Sequence, residues 1–275
     1  MSIAGGVPLA VDRAARVGAT ALQIFTRNQL QWSAPELSEE EVQRFRVAVK
    51  QSPLRYVCAH ASYLINIASP DPPLRARSES ALVAELRRAE DLGCHCLVLH
   101  PGSPRSDTRE AGVARVAESV MRVLAETRDC TVRLALENTS GQGTVLGSTV
   151  SELGDMVDAC SRPARLGVCI DTCHAFASGH DLREKQAVVD LVAELGDRIG
   201  LERLWVLHLN DSLYGLGSHR DRHTHIGQGH IGAPGFRNLL TNEELVEVPG
   251  ILETPKDRKT LVEDRRNLRR LRRLH

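Results

Sequence analysis

A closed α/β barrel is the architecture this sequence predicts, and three observations predict it. Short apolar runs of strand length alternate with longer helix-forming stretches, the pattern of parallel strands joined by crossover helices. The strand–helix units number eight once a vestigial first strand is counted, the number that closes a TIM (β/α)8 barrel. Six successive strands, moreover, stop at a histidine or a carboxylate. With 275 residues, the chain has the length of a single such domain, spanning 1–275.

The opening, MSIAGGVPLAVDRAARVGA, supplies a helix over 8–17 but little before it, so the first strand is expected to be shortened or missing. The apolar run 21–25 is the next strand. A polar loop follows with Arg27, Asn28, Leu30 and Trp32, then a helix from about Ser38, where S-E-E-E has the form of an N-terminal cap. The unit then repeats. Strand 56–59 ends at His60 and leads to helix 74–92; strand 96–99 ends at His100 and leads to helix 110–128. Strand 132–136 ends at Glu137, before helix 148–160. Strand 166–170 ends at Asp171, with His174 in the turn that follows and a helix over 182–199. Strand 204–207 ends at His208, before a long loop and a short helix over 233–240, and strand 250–252 ends at Glu253. The last helix, 258–274, carries Leu268, Leu271 and Leu274 at helical spacing, which makes it amphipathic with a solvated basic face.

Composition describes an ordinary globular protein: 42% hydrophobic, 25% charged and only 3% aromatic, so its core is aliphatic. The formal net charge is zero, from 35 basic and 35 acidic residues, and any surface for nucleic acid has to be local. Arginine outnumbers lysine 31 to four, a skew that codon bias explains as readily as phosphate binding. Seven cysteines without a C-x-x-C pair read as reduced core thiols of a cytoplasmic protein. No stretch has the length and apolarity of a membrane span, and no membrane partner is expected.

A lone D-x-x-H such as Asp171 with His174 is more often a structural hydrogen bond than a metal site. Six metal-competent side chains at strand ends are another matter, because burying them without metal requires a partner for each. His60, His100, Glu137, Asp171, His208 and Glu253 exceed the three protein ligands a catalytic zinc takes, so at least two metals are implied. Glu137, central in the series, is the candidate bridge. Asp221 and His223, two apart and on one face of an extended segment, complete with His174 a third His, Asp, His set. Three divalent ions outweigh four carboxylates, and the pocket favours an anion. Clustered metals suit the in-line displacement of a phosphodiester.

The stretches HASYLIN (60–66), HPGS (100–103), ENTSGQG (137–143), GVCIDTCHAFASGHD (167–181), HLNDS (208–212), DRHTHIGQG (221–229) and LETP (252–255) resemble endonuclease IV, in the family's order and over nearly the whole chain. The resemblance implies a monomeric, zinc-dependent apurinic/apyrimidinic endonuclease of base excision repair. Such an enzyme cuts duplex DNA 5′ to an abasic site, leaves a 3′-hydroxyl and trims blocked 3′ ends. It also implies three zinc ions, with manganese admissible in part. One takes His60, His100 and Glu137; the second Glu137, Asp171, His208 and Glu253; the third His174, Asp221 and His223. Tyr63 matches the residue that enters DNA at the lesion, and Leu30 stands where the family carries a lesion-gripping Arg. His180 replaces a Tyr. The family's opening G-x-H segment is lacking, so the start is expected to be truncated or misassigned and barrel closure to be affected.

Two other functions fit parts of the pattern. A xylose-isomerase-like sugar isomerase or epimerase shares the barrel and some ligands, but with one or two metals. A non-cleaving abasic-site binder would follow if the short first strand abolished cutting.

Overall fold

A computed structural model describes residues 1–256 and 260–275, in two compact units: 1–136 with 156–167, and 137–155 with 168–275. In the first unit α1 (Pro8–Arg16) leads into β1 (Ala21–Phe25), α2 (Glu39–Gln51), β2 (Tyr56–His60), α3 (Pro72–Leu92), β3 (Cys96–Leu99), α4 (Arg109–Glu126) and β4 (Arg133–Glu137), whose last residue belongs to the second unit. The four strands pair in parallel and in chain order, Phe25 opposite His60, His60 opposite Val98 and Leu99 opposite Leu136. Their interiors are fully buried, which is why they read as unbroken apolar runs rather than as an alternation. The even register brings the carboxyl ends of the strands to one level, at His60 and just before His100.

Local sequence sets the helix limits. Ser38 caps α2 by accepting from Glu41 N at 3.2 Å, with Glu39, Glu40 and Glu41 in the first turn beside the positive end of the dipole. Thr108 caps α4 in the same way. Gly93 ends α3 at φ 71°, a left-handed cap that a side chain would resist. Among the described residues no strand precedes α1, as the sparse opening predicts. The amino group of Met1 donates instead to Gln23 O, alongside β1.

The second unit takes the end of β4, α5 (Val150–Ala159) as far as Asp155, and β5 (Leu166–Asp171) from Val168. It continues through α6 (Thr172–Ser178), α7 (Lys185–Arg198), β6 (Leu204–His208), β7 (Asp211–Ser212), β8 (His223–Thr224), α8 (Gly232–Leu240), β9 (Gly250–Ile251) and α9 (Val262–Leu274). Asp171 pairs with His208, and His208 with Ile251. Three sequence expectations change here. His174 lies not in a turn but in the first turn of α6, whose cap is Asp171. The long loop after β6 holds a hairpin, Asp211 opposite Thr224 and Ser212 opposite His223. The last helix begins at Val262; residue 258, where it was expected to start, lies outside the described residues. All seven cysteines are buried thiols, and no helix of the described residues is long and apolar enough to cross a membrane.

Candidate metal centre

The centre of the second unit is the row of carboxyl ends formed by β4, β5, β6 and β9. Two asparagines, one and two residues past strand ends, set it. Asn138 Oδ1 accepts from Asp171 N at 2.6 Å and Asn138 Nδ2 donates to Asp171 O at 3.2 Å. Asn210 Nδ2 donates to Asp171 Oδ2 at 2.6 Å, while Asn210 Oδ1 accepts from Glu253 N at 2.7 Å. The backbone at Glu253 is thereby held to the end of β6, and the Asp171 carboxylate is fixed in rotamer. Into this frame His208 brings Nδ1, 2.9 Å from Glu137 Oε1, 3.1 Å from Glu253 Oε2 and 4.0 Å from Asp171 Oδ2. Ligand atoms of Glu137, Asp171, His208 and Glu253 all lie within 4.8 Å of one another, and the first three residues are fully buried.

A second cluster shares Asp171. His174 Nε2 lies 3.3 Å and His223 Nε2 3.4 Å from Asp221 Oδ1, and His223 Nε2 lies 3.6 Å from Asp171 Oδ2. The opposite ring nitrogens face backbone: His174 Nδ1 meets Asn138 O at 3.0 Å and His223 Nδ1 meets Glu253 O at 3.2 Å. A carbonyl only accepts, so in the neutral ring each Nδ1 carries the proton and each Nε2 presents its lone pair to the acids. That is the tautomer of a metal ligand with its outer hydrogen bond already made. His208 is the reverse, with Nδ1 toward the carboxylates.

Burial alone would lower the pKa of both His174 and His208. For His174, Asp171, Asp221 and Glu137 overturn this and hold the ring well above its ordinary value. For His208, Cys169, Glu253 and Glu137 do the same. The cluster therefore demands positive charge. Buried His223 Nε2 makes no hydrogen bond, although two carboxylates are near it. Oxygen and imidazole donors, crowded acids, fixed tautomers and an unsatisfied ring nitrogen together fit a hard-to-borderline divalent cation such as zinc or manganese.

In the first unit His60 and His100 lie side by side, ring centroids 5.2 Å apart. His60 Nδ1 meets Ala61 O at 2.7 Å, leaving Nε2 as its outward nitrogen. Tyr63 sits over both rings, at 5.5 and 6.1 Å, and is 55% exposed. Leu30 is 68% exposed.

Residues 11–273 match the family described as xylose isomerase-like TIM barrel. Over its whole length the chain is 47% identical to the probable endonuclease 4 of Oleidesulfovibrio alaskensis, of which it covers 93%, and 43% identical to that of Chloroflexus aurantiacus, of which it covers 96%. Endonuclease IV from Thermus thermophilus superposes with a TM-score of 0.86 at 38% identity, over 100% of this chain and 96% of that one. The chain belongs to the endonuclease IV family. Its fold is the family's TIM barrel, with no first strand among the described residues. A D-tagatose 3-epimerase-like protein, at 19% identity and a TM-score of 0.71, shares the fold alone.

Of the residues the endonuclease IV motifs single out, the second unit gathers Glu137, Asp171, His174, His208, Asp221, His223 and Glu253, and the first unit pairs His60 with His100 beside Tyr63. Asp171 faces both clusters of the second unit, a double role that its place in one motif did not reveal. Sequence reasoning missed the asparagines that aim these ligands. Their only signal was position: Asn138 and Asn210 each stand one or two residues beyond a ligand at a strand end, where a polar side chain without a role would face solvent, and both are buried.

Proposed function

We propose that this protein is a DNA repair endonuclease that hydrolyses the phosphodiester 5′ to an abasic site in duplex DNA, leaves a 3′-hydroxyl and also trims blocked 3′ ends, as one barrel domain holding three zinc ions. The observation that carries the reading is the acid-rich cluster around Asp171, with three imidazoles turned toward it and an unsatisfied buried ring nitrogen at His223. Family membership supports the DNA substrate, since the relatives compared above carry the name endonuclease 4.

Glu137, Asp171, His208 and Glu253 would hold one ion, His174, Asp221 and His223 another, and His60 and His100 would give their imidazoles to the third. Bound there, divalent ions neutralise the scissile phosphate and stabilise the attacking and leaving oxygens of an in-line displacement. The chain's own part is to keep the acids fixed. Asn138 and Asn210 hold Asp171 and the Glu253 backbone, and the carbonyls of Asn138 and Glu253 hold the imidazoles of His174 and His223. Tyr63 and Leu30 are the groups that would enter the base stack, where a missing base lowers the energy needed to open it.

The test is cleavage of an abasic duplex, with mapping of the cut and its 3′ end, alongside elemental analysis of the purified protein. Close to three metals per chain and a cut 5′ to the lesion are expected. Specific binding without cleavage by fully loaded protein would overturn the hydrolase in favour of a lesion binder. A single metal with full activity would overturn the trinuclear site.

A further inference from the structure

Glu85 lies on the inner face of α3, 1% exposed, remote in sequence from the motifs that carry the chemistry. Its Oε1 accepts Arg27 Nε at 2.8 Å, Arg27 Nη2 at 2.6 Å and Ser62 N at 3.2 Å. Arg27, 6% exposed, spends its remaining nitrogen on the loop after β1, donating from Nη1 to Gln31 O at 3.1 Å and to Trp32 O. Ser62, whose N–H Glu85 takes, donates its hydroxyl to Gln29 O at 2.8 Å. Arg88, one turn further along α3, holds Thr26 O at 2.5 Å and Pro35 O at 2.8 Å, and Arg77 lies 4.4 Å above the Trp32 ring. One face of one helix thus grips both ends and the middle of loop 26–35 and the start of the β2–α3 loop. What these bonds leave outside is Leu30 and Tyr63, the two large exposed apolar side chains of these loops.

A buried ion pair is weak evidence for stability, because an apolar pair of the same volume often does as well. Here what the pair does not spend on itself goes to loop backbone, Arg27 Nη1 donating to Gln31 O and Trp32 O and Glu85 Oε1 accepting from Ser62 N, so its product is a fixed geometry. Side chains that enter a base stack gain from being held in place beforehand, since loop ordering then no longer opposes binding. We propose that Glu85, through Arg27 and Ser62, is a positioning residue for lesion recognition: it locks the loop carrying Leu30 to the loop carrying Tyr63 so that the two side chains meet the gap in the stack as a preset pair. The proposal rests on the endonuclease reading above.

The test replaces the pair by apolar residues, Arg27→Met with Glu85→Leu, and compares it with Glu85→Gln, which leaves Arg27 buried opposite an uncharged amide. The double variant is expected to melt close to the wild type, to hold the same metal content and to trim a blocked 3′ end at the wild-type rate. Its kcat/KM on an abasic duplex should fall by about tenfold to a hundredfold, the scale of misplacing a group that must be aligned. Two readouts do not depend on turnover. Loop 26–35 should become sensitive to protease, and 2-aminopurine beside the abasic site should brighten less on binding, because the stack is opened less. Glu85→Gln should show the same losses with a lower melting temperature. Wild-type selectivity and 2-aminopurine signal in a double variant whose loop has become protease-sensitive would overturn the inference while leaving the endonuclease reading intact. Equal loss on both substrates would overturn it in favour of plain structural support. A wild type that cuts neither substrate would overturn the endonuclease reading, and this inference with it.

Discussion

Charge is buried in this molecule in two opposite ways. Glu85 in the first unit and Asp211 in the second are each met by several N–H donors. Glu85 takes three N–H donors, and Asp211 takes four from backbone: Ser212 N at 2.9 Å, Gly229 N at 3.0 Å, Ile231 N at 3.0 Å and Gly232 N at 3.3 Å. Asp171 also accepts from His174 N and Asn210 Nδ2, but around it the acids crowd one another and the ring nitrogens that face them, and His223 Nε2 is left without a hydrogen bond. Satisfied buried acids serve as ties between chain segments. A cluster that needs added positive charge is arranged for a guest, and it is less stable without one.

The largest expected effect is at Glu137. Glu137→Gln keeps the shape and removes one charge from the crowded side. Cleavage of an abasic duplex should fall by orders of magnitude and bound metal should drop, while DNA binding largely persists and the melting temperature of the metal-free protein stays level or rises. Turnover near normal would show that the contrast between guest site and tie is drawn at the wrong residue. Removing the metals by chelation should abolish cleavage and lower the melting temperature. A guest that binds only the folded state, at a thousand times its Kd, adds about 4 kcal/mol. Zinc should restore both, and an unchanged melting curve after confirmed removal would mean that the cluster is stable by itself.

The ties should show the reverse signature. Asp211→Asn turns an acceptor into a donor facing Gly229 N–H. The cost of such an unsatisfied pair is about 1–3 kcal/mol, which for a chain of this size lowers the melting temperature by roughly 3 °C per kcal/mol. Gly229→Ala attacks the same tie sterically, since a Cβ there would meet Ser212 O at 2.2 Å and Asp211 Oδ1 at 2.5 Å. Both variants should lose stability first. Activity should then follow through the β7–β8 segment that carries Asp221 and His223, and full activity returning at lower temperature would confirm a tie. Catalysis lost at unchanged stability would move Asp211 to the guest side.

The same contrast explains what could be read from sequence. Ligands at strand ends were legible because a parallel strand buried on both faces is an apolar run with a sharp limit, and Asp171 or His208 marks that limit. The ties were not. Glu85 and Arg27 are 58 residues apart, and either alone looks like a helix or loop charge exposed to water. Helix α6 was missed because TCHAFAS is short and buried nearly all round, which leaves no amphipathic period to find. The two-residue strands of the β7–β8 hairpin have no periodicity either, and Asp211 rather than local propensity holds that segment to the residues around Gly229.

The smallest expected effect is at Leu30, the tip that the Glu85 tie presents. Leu30 N is held by Asn28 Oδ1 at 3.0 Å, so the backbone of the tip is shaped locally, while the side chain is largely exposed and contributes little to the fold. Its truncation should therefore leave the stability within about 0.5 kcal/mol of wild type, the usual range for a surface site. If the side chain enters the base stack, Leu30→Ala should slow single-turnover cleavage of an abasic duplex several-fold and spare trimming of a blocked 3′ end, where no intact stack has to be opened. Leu30→Arg should be tolerated or faster, because a guanidinium there adds charge against the phosphates. The comparison with Glu85 is the sharper part. If the tie works by presenting Leu30, then Leu30→Ala should cost less in the Arg27→Met, Glu85→Leu background than in the wild type, since a side chain already misplaced has less to lose. Strict additivity of the two losses would show that tie and tip act separately, and that the ordered loop serves something other than the leucine at its end.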